Sequence, residues 1–466
     1  MNLETLADMT IEALLAAYRS QQTDPVKVAE LTFSQIDRVN GHINAIYDTN
    51  RAASLHEAEA SAERWRGGRP EGALDGVPVT IKDSVHAVGM RWHHGSAAHG
   101  DGVVGVKDAP PVERLKAARA IIIGKCVMPD YGMSASGVSS FFGIVRNPWD
   151  LAYNTGGSSA GAGASLAAGI GMASVGSDIA GSVRLPASHC GLASLKPTQG
   201  MIPHTPASDV RSAGPLVRHA ADLECLLRVL GGVHAEDRFS VPVLEPKAGF
   251  EGATIGVCSS FGFGPAVEEA VLTTLKTASD TLGSLPVRVH EKTIDYGFDA
   301  YLPINDSFKL RAWREYAAAA PEHRDATPAK LIAWFKDARE WDAARVATFE
   351  AGIARGVALT NLLFENVDFL LTPVMPVVNF AAEKLGPDEE MPLRHCTFVA
   401  PFNQSGHPAV VIRGGFDARG LPIGIQLVGR RFDDVRLLRL ATALEAALRK
   451  PHCAASWPLT PKAIAS

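Results

Sequence analysis

Short apolar runs alternate along the chain with longer segments in which apolar and polar residues are mixed. The runs at 77–81, 120–124 and 173–176 are bounded by glycine or polar residues and predict buried β-strands. The mixed segments at 108–116 and 158–168 predict helices, the second one despite its glycines. This alternation predicts the α/β fold class, with a central mixed β-sheet flanked by helices on both faces.

Further helices are predicted on either side of this alternating region. Residues 11–19, 25 to about 39 and 51–66 predict three helices near the N-terminus, where they have a packing role. Residues 221–231 and 264–282 predict helices on the faces of the sheet. The last helix should dock on the core through apolar side chains at i, i+3 and i+4 spacing, namely Leu437, Leu440, Ala441, Leu444 and Leu448.

Composition narrows the class of protein. Apolar residues make up 46% of the 466-residue chain, enough for a substantial core, and the net charge of −5 argues against nucleic acid or an anionic membrane as the main partner. No apolar run is long enough to span a membrane, and the N-terminus lacks the pattern of a signal peptide. The six scattered cysteines, which include Cys453, form no C-x-x-C pair, so we expect a cytoplasmic protein without a disulfide framework.

The segment 154–198 is the most unusual part of the chain because it is rich in glycine and serine yet interrupted by apolar runs. It lacks the G-K-[ST] of a Walker loop and the spacing of a Rossmann fingerprint. Residues 157–161 fit the G-x-S-x-G pattern loosely, which keeps hydrolase chemistry open. The segment is either a glycine-rich loop packed closely against its neighbours or a pair of turns that present Ser158 and Ser182.

Two further features have both a structural and a chemical interpretation. Lys82 ends the predicted strand at 77–81, where a lysine either extends outward to solvent or is held inside for a reason. His93 and His94 are adjacent in a loop and could ligate a metal, but no acidic or cysteine partner has suitable spacing. We therefore expect no metal site, and we expect loop histidines that line a cleft.

Taken together, these pieces resemble the amidase signature family. The resemblance rests on Lys82 at a strand end, on GGSS at 156–159, and on the D-x-x-G-S-x-R turn at 178–184. Supporting matches are GVPVTIKD, NPWD at 147–150, GPLVRHAADL at 214–223, LLTPVMP at 370–376 and the segment 401–434. The resemblance implies a single amidase domain over 1–466, with core regions at 60–235 and 365–450 and a variable substrate-pocket region at 240–360.

The family resemblance also implies a Ser-Ser-Lys catalytic set. Ser182 would be the nucleophile that forms an acyl-enzyme, Ser158 would be the bridging residue after a cis peptide bond, and Lys82 would be the final base. A neutral lysine can accept the proton of a serine through a second hydroxyl if burial lowers its pKa. The oxyanion hole would be formed by the backbone N–H groups of Ile179, Ala180, Gly181 and Ser182.

Three residues are assigned supporting roles by the same resemblance. Ser159 is the second member of the serine pair, and Asp178 and Arg184 bracket the nucleophile. Arg184 would hold the turn, although a clamp on a substrate carboxylate is an alternative. Departures from the family pattern are Ala160 and Ala180 in place of glycine, Cys126 and Asp130 in place of threonine and glutamate, and the pair His93 and His94. None of them removes a catalytic group.

These features predict an amidase that hydrolyses a small amide, anilide or related acyl compound without a cofactor. The alternatives are a carbamate or hydrazide hydrolase of the same family, the amidase subunit of a glutamine-dependent tRNA amidotransferase, and a non-catalytic relative. Leu185 after Arg184 and TPASDVRSAGP at 205–215 depart from the amidotransferase pattern, and a non-catalytic relative would be expected to lose Lys82 or Ser182. The expected partner is a small-molecule substrate, with a homodimer left open. The aromatic residues of 301–350 favour an apolar or aryl acyl group.

Overall fold

A computed structural model describes residues 1–246, 248–449 and 457–461; Cys453 lies outside these ranges. The α-helices are α1 Leu3–Asp8, α2 Ile11–Arg19, α3 Pro25–Ile43, α4 Arg51–Arg66, α5 Pro110–Ala117, α6 Ala160–Ala167, α7 Arg184–Cys190, α8 Asp222–Leu230, α9 Glu269–Leu282, α10 Tyr301–Ala318, α11 Ala329–Phe335, α12 Ala343–Leu362, α13 Ala400–Gln404 and α14 Asp434–Arg449. Short 3₁₀ helices lie at Ala97–His99, Asp130–Gly132, Pro321–Ala326, Lys336–Glu340 and Arg394–Phe398.

The β-strands are β1 Ile46–Thr49, β2 Pro78–Lys82, β3 Arg91–Trp92, β4 Val103–Val104, β5 Ile121–Cys126, β6 Val138–Ser139, β7 Gly143–Ile144, β8 Ala173–Asp178, β9 Ala193–Lys196, β10 Ser212–Val217, β11 Thr254–Val257, β12 Arg288–Glu291, β13 Phe369–Pro373, β14 Ala409–Phe416 and β15 Pro422–Gly429. Within the described ranges, eleven of them form one sheet in the order β1-β5-β2-β8-β10-β9-β14-β15-β13-β11-β12.

The central sheet is mixed. β2 runs parallel to both β5 and β8, and β11 runs parallel to both β12 and β13, whereas the other neighbouring strands are antiparallel. Helices cover the sheet on both sides, and each side has its own apolar core. The predicted α/β architecture is therefore confirmed.

Alternating strand residues separate these two cores, because successive side chains of a strand point to opposite faces of the sheet. Val410 and Ile412 of β14 pack with α8, α9 and α14, whereas Val411 between them packs with α3, α6 and α7. The five apolar residues that were predicted to dock the last helix are all buried in the core that contains residues of α8, α9 and α14. The amphipathic character predicted for α14 is thus confirmed.

Two predicted helix boundaries differ from the structure for local reasons. The helix predicted from 108 begins at Pro110, since proline is favoured in the first turn of a helix, where its missing N–H has no partner to lose. The helix predicted from 264 begins at Glu269, because Gly264 has a positive φ of 95° that a helix does not contain. Among the described helices, none is both long and apolar enough to cross a membrane.

Candidate active site

The candidate site lies where the carboxyl ends of two neighbouring strands meet. β2 and β8 are parallel, with Val79 opposite Ala173 and Ile81 opposite Val175. Parallel neighbours end at the same edge of a sheet, so Lys82 at the end of β2 and the turn that follows Asp178 of β8 come together. That turn contains Ser182 and leads into α7.

Lys82 points into the protein rather than outward to solvent. The residue is 1% exposed, and its Nζ lies 2.8 Å from the Oγ of Ser158 and 3.2 Å from the Oγ of Ser177. Burial lowers the pKa of Lys82 to about 7, against the opposing influence of Asp178 and with the help of the positive charge of Arg211. A large fraction of the amine is therefore neutral near neutral pH and able to accept a proton.

Ser158 is held at the start of α6 by a tightly packed glycine. The peptide bond between Gly157 and Ser158 is cis, as the family resemblance implied. A Cβ on Gly157 would lie 2.4 Å from the carbonyl oxygen of Ser136, so no larger residue fits there. The next residue, Ser159, donates its N–H to the carbonyl of Ser182 over 3.1 Å. This bond ties the segment that contains Ser158 to the turn that contains Ser182.

An ion pair inside the protein fixes the shape of the nucleophile turn. Asp178 and Arg184 are fully buried, and the carboxylate accepts two hydrogen bonds from the guanidinium at 3.0 and 2.9 Å. It also accepts the N–H groups of Gly181 and Val183. Burial by itself would raise the pKa of Asp178, but Arg184 and these hydrogen bonds hold that pKa well below its ordinary value.

Arg184 directs its remaining donors to the protein. Its guanidinium donates to the carbonyl of Val399 and to the side-chain oxygens of Gln426 and Asn403. A buried guanidinium with these partners supports the brace interpretation of Arg184 and leaves no donor for a substrate carboxylate.

Three of the four predicted oxyanion-hole donors remain available. The N–H of Gly181 donates to the Asp178 carboxylate over 2.8 Å, so its assignment to the oxyanion hole needs correction. In the part of the chain that the structure describes, the N–H groups of Ile179, Ala180 and Ser182 have no hydrogen-bond acceptor. Gly181 has a φ of 106°, and a Cβ there would lie 2.6 Å from Val399, which explains why this position is glycine while Ala180 tolerates a methyl group.

Ser182 lines a narrow, mostly apolar cleft with a volume of about 20 Å³. Its walls come from the loop after the 3₁₀ helix at 130–132, from the nucleophile turn, from α10 and from the segment before α13. The lining residues include Met133, Ala135, Ile179, Leu185, Phe308 and Leu393. Apolar side chains therefore surround Ser182 on the side of the cleft.

The two loop histidines take different places. His93 stacks on Phe141, with ring centroids 4.0 Å apart, and meets Tyr47 edge to face. His94 lines a separate cavity beside Lys82, and burial lowers its pKa well below the usual range. Among the described residues, no group of three or more metal-ligating side chains is arranged to hold a metal ion.

Several residues near the site were missed by sequence reasoning. Ser177 offers a second hydroxyl to Lys82, and its signal was its place one residue before Asp178 at the end of the same strand. Arg211 and Arg311 line the cavity that His94 shares, and the signal of Arg211 was its place directly before β10. Only the fold brings these three near Lys82.

Residues 27–438 match the family model described as Amidase. The chain is 31% identical over 479 residues to a glutamyl-tRNA(Gln) amidotransferase subunit from Geobacter metallireducens, covering 95% of this chain and 98% of that protein.

Solved structures of hydrolases share the fold of this chain. The structure of a 6-aminohexanoate cyclic dimer hydrolase complexed with substrate superposes with a TM-score of 0.86 at 26% identity, covering 99% of this chain and 100% of the other. A bacterial aryl acylamidase superposes with a TM-score of 0.86 at 23% identity, covering 94% of this chain and 96% of the other, which shows a shared fold.

Proposed function

Because the chain belongs to the amidase signature family, a family of hydrolases that act on C–N bonds, we propose that it hydrolyses a small amide, anilide or related acyl compound through an acyl-enzyme on Ser182. The observation that carries the proposal is the 2.8 Å contact between the buried Lys82 amine and Ser158, next to the cleft that Ser182 lines. A serine needs an activating base before it attacks an amide, and a lysine with a pKa near 7 can serve as one.

The reaction begins with attack of the Ser182 Oγ on the carbonyl carbon. The serine proton passes to the Ser158 hydroxyl, whose own proton passes to Lys82. Negative charge develops on the carbonyl oxygen, and the N–H groups of Ile179, Ala180 and Ser182 stabilise it by about 3–4 kcal/mol for each well-placed donor.

The C–N bond then breaks, and the leaving nitrogen takes the proton back from Lys82 by the same route. A water molecule attacks the resulting ester, giving up its proton to the same lysine as the C–O bond forms. The carboxylic acid leaves, and Ser182 regains its proton.

A second candidate function is the amidase subunit of a tRNA amidotransferase, which the 31% identity to such a protein favours. The departures at Leu185 and 205–215 argue against it, and Leu185 lines the cleft itself. Carbamates and hydrazides suit the same catalytic set and are further substrate classes of the first candidate.

The chain purified alone distinguishes these candidates. We expect it to release ammonia or amine from small amides and anilides without any partner protein, with Ser182→Ala as the inactive control. The first candidate would be overturned in favour of the second if ammonia were released from glutamine and from no other amide, and if the rate rose only after addition of partner proteins and charged tRNA. The absence of any release under either condition would overturn both.

A further inference from the structure

A second cavity, with a volume of about 420 Å³, is lined by residues that the apolar cleft does not share, among them Ser84, His94, Arg211 and Arg311. Polar side chains line much of it, and two of them are the positively charged Arg211 and Arg311. The mechanism described above uses neither arginine.

Among the described residues, neither arginine forms a close ion pair. Arg211 donates to the carbonyl of Pro206, but its buried Nε has no hydrogen-bond acceptor. Within the described ranges, no carboxylate oxygen lies within 4.0 Å of either guanidinium. The cavity contains one carboxylate, Glu315, which lies 3.8 Å from the Nδ1 of His94 and whose negative charge also acts on both guanidinium groups from beyond 4.0 Å. Two positive charges and one negative charge leave the cavity with an excess of one positive charge.

The strand register places this charge beside the reacting atoms. Ser212 of β10 pairs with Asp178, the last residue of β8. Arg211 is the residue before Ser212, so it lies beside the start of the turn that contains Ser182. Ser84 also lines the cavity, and its Oγ lies 3.4 Å from the Oγ of Ser177, which itself contacts Lys82.

One face of α10 joins the cavity to the apolar cleft. Phe308 lines the cleft, and Arg311 and Glu315 line the cavity. Residues three and seven positions apart share a face of a helix, and a spacing of three residues corresponds to about 4.5 Å along its axis. Neighbouring side chains of one helix face therefore line both the cleft and the cavity.

We propose that Arg211 and Arg311 form a carboxylate-binding subsite, so that the substrate is an amide that carries both an apolar segment and a carboxylate. Guanidinium groups match carboxylates in charge and in geometry, and these two partly buried groups have no close carboxylate partner of their own. The carboxylate can belong to the acyl part, as in the monoamide of a dicarboxylic acid, or to the amine part, as in an N-acyl amino acid. This subsite rests on the proposed function, and it revises the expectation that the pocket prefers an uncharged substrate.

Matched substrate pairs test the subsite. Glutaramate is compared with pentanamide for the acyl side, and N-butyrylglycine with N-propylbutyramide for the amine side. We expect the wild type to prefer the acid member of one pair by about 10- to 100-fold in kcat/KM, the range that a hydrogen bond to a charged group provides. Arg311→Gln and Arg211→Gln should each reduce that ratio, mainly through KM, and Arg311→Lys should restore part of it.

Arg314→Gln is the matched control, because Arg314 lies on the same helix but is exposed to solvent. It should keep the wild-type ratio, and circular dichroism should show that every variant is folded. The subsite would be overturned if the wild type had equal kcat/KM for both members of each pair. It would also be overturned if the arginine variants lost kcat/KM equally on the acid and the neutral amide. Either outcome leaves the proposed function intact.

Calorimetry on the Ser182→Ala variant distinguishes failure of the carboxylate subsite from failure of the proposed function. We expect it to bind the acid of the preferred pair more tightly than the neutral amide, and to lose this difference when Arg311→Gln is added. If the wild type hydrolyses no amide although this binding difference exists, the proposed function fails and the subsite stands. Equal binding of acid and neutral amide would contradict the subsite.

Discussion

Lysine burial alone does not identify the base, because Lys82, Lys125 and Lys196 are all buried. Burial lowers the pKa of all three, to about 7, about 8 and about 7. Their hydrogen-bond partners differ. The Nζ of Lys125 donates to the carbonyls of Asp83 and Val85, which can only accept, whereas Lys82 contacts hydroxyls that can also give a proton. The Nζ of Lys196 likewise donates to a carbonyl, that of Pro197, so the contacts single out Lys82.

Replacing Lys82 by arginine should leave a folded but inactive enzyme. Guanidinium keeps the positive charge but cannot lose a proton under working conditions, so it cannot act as a base. Lys82→Ala should be inactive for the same reason. The measurement is kcat/KM on a simple amide, with circular dichroism as the check on folding, and Lys125→Arg as the matched variant that should keep more activity. Substantial turnover by folded Lys82→Arg would mean that the proton goes elsewhere.

The pH profile of the wild type should follow the neutral form of Lys82. Because the active form is deprotonated and the pKa is about 7, kcat/KM should rise with pH through about 7 and level off above it. An exposed lysine would place the rise near about pH 10.4. A rate that falls as the pH is raised through this range would exclude a neutral lysine base.

Ser158 and Ser182, the two serines of the proposed mechanism, should differ in their sensitivity to mutation. Ser182→Ala removes the attacking atom, so turnover and acyl-enzyme formation should disappear. Ser158→Ala removes a relay hydroxyl that water can replace in part, so we expect a smaller loss in kcat. Comparing kcat for the two variants on one amide checks this order, and a greater loss in Ser158→Ala would require exchanging their roles.

At the level of single residues, the candidate site was predicted from the family resemblance, whose motifs occur at Lys82, 156–159 and 178–184. From the sequence, the side chain of Lys82 could extend outward to solvent or be held inside. The packing of the surrounding strands decides that it points inward. The donor role of Gly181 could not be judged from sequence, since the direction of a backbone N–H depends on the turn that Asp178 closes.

At the scale of the elements, the turn between β8 and α7 depends on the buried pair of Asp178 and Arg184. Removing one partner of a buried pair leaves an uncompensated charge and costs about 3–5 kcal/mol. Asp178→Asn should lower the free energy of unfolding by this order, as urea denaturation would measure. Asp280→Asn removes the partner of the exposed Lys276 and should cost less than about 0.5 kcal/mol. Similar losses in both variants would contradict a bracing role for the pair.

The aromatic content of residues 301–350 does not show which of these side chains line the cleft. Most aromatic residues of 301–350 pack between helices: Tyr301, Trp334 and Phe335 are buried, and the indole of Trp334 donates to Asn305. Phe308 is the aromatic residue from this region among those that line the cleft. Periodicity cannot distinguish a pocket wall from a helix contact, since both put apolar residues on one face.

At the scale of the whole molecule, the alternation of strands and helices was sufficient to predict the class of fold but not the order of the strands. β8 pairs with β10 rather than with the next strand along the chain, β9, which follows α7. Such pairings depend on contacts between distant segments, about which local patterns carry no information. The same long-range order brings Arg211 and Arg311 to the site.

The proposed mechanism uses Lys82 and serine hydroxyls, so we expect the chain to work without a metal ion. Chelation by EDTA should therefore leave amide hydrolysis unchanged. The assay compares initial rates before and after dialysis against EDTA and after addition of zinc. Inactivation that zinc reverses would bring His93 and His94 back as ligands.

The most direct test of the account is to find which atom carries the acyl group. The enzyme is mixed with a slowly hydrolysed anilide or with a fluorophosphonate, quenched, digested and mapped by mass spectrometry, with Ser182→Ala in parallel. We predict a single adduct on Ser182 that is absent from the variant. An adduct on another serine, or undiminished turnover by Ser182→Ala, would contradict the acyl-enzyme mechanism.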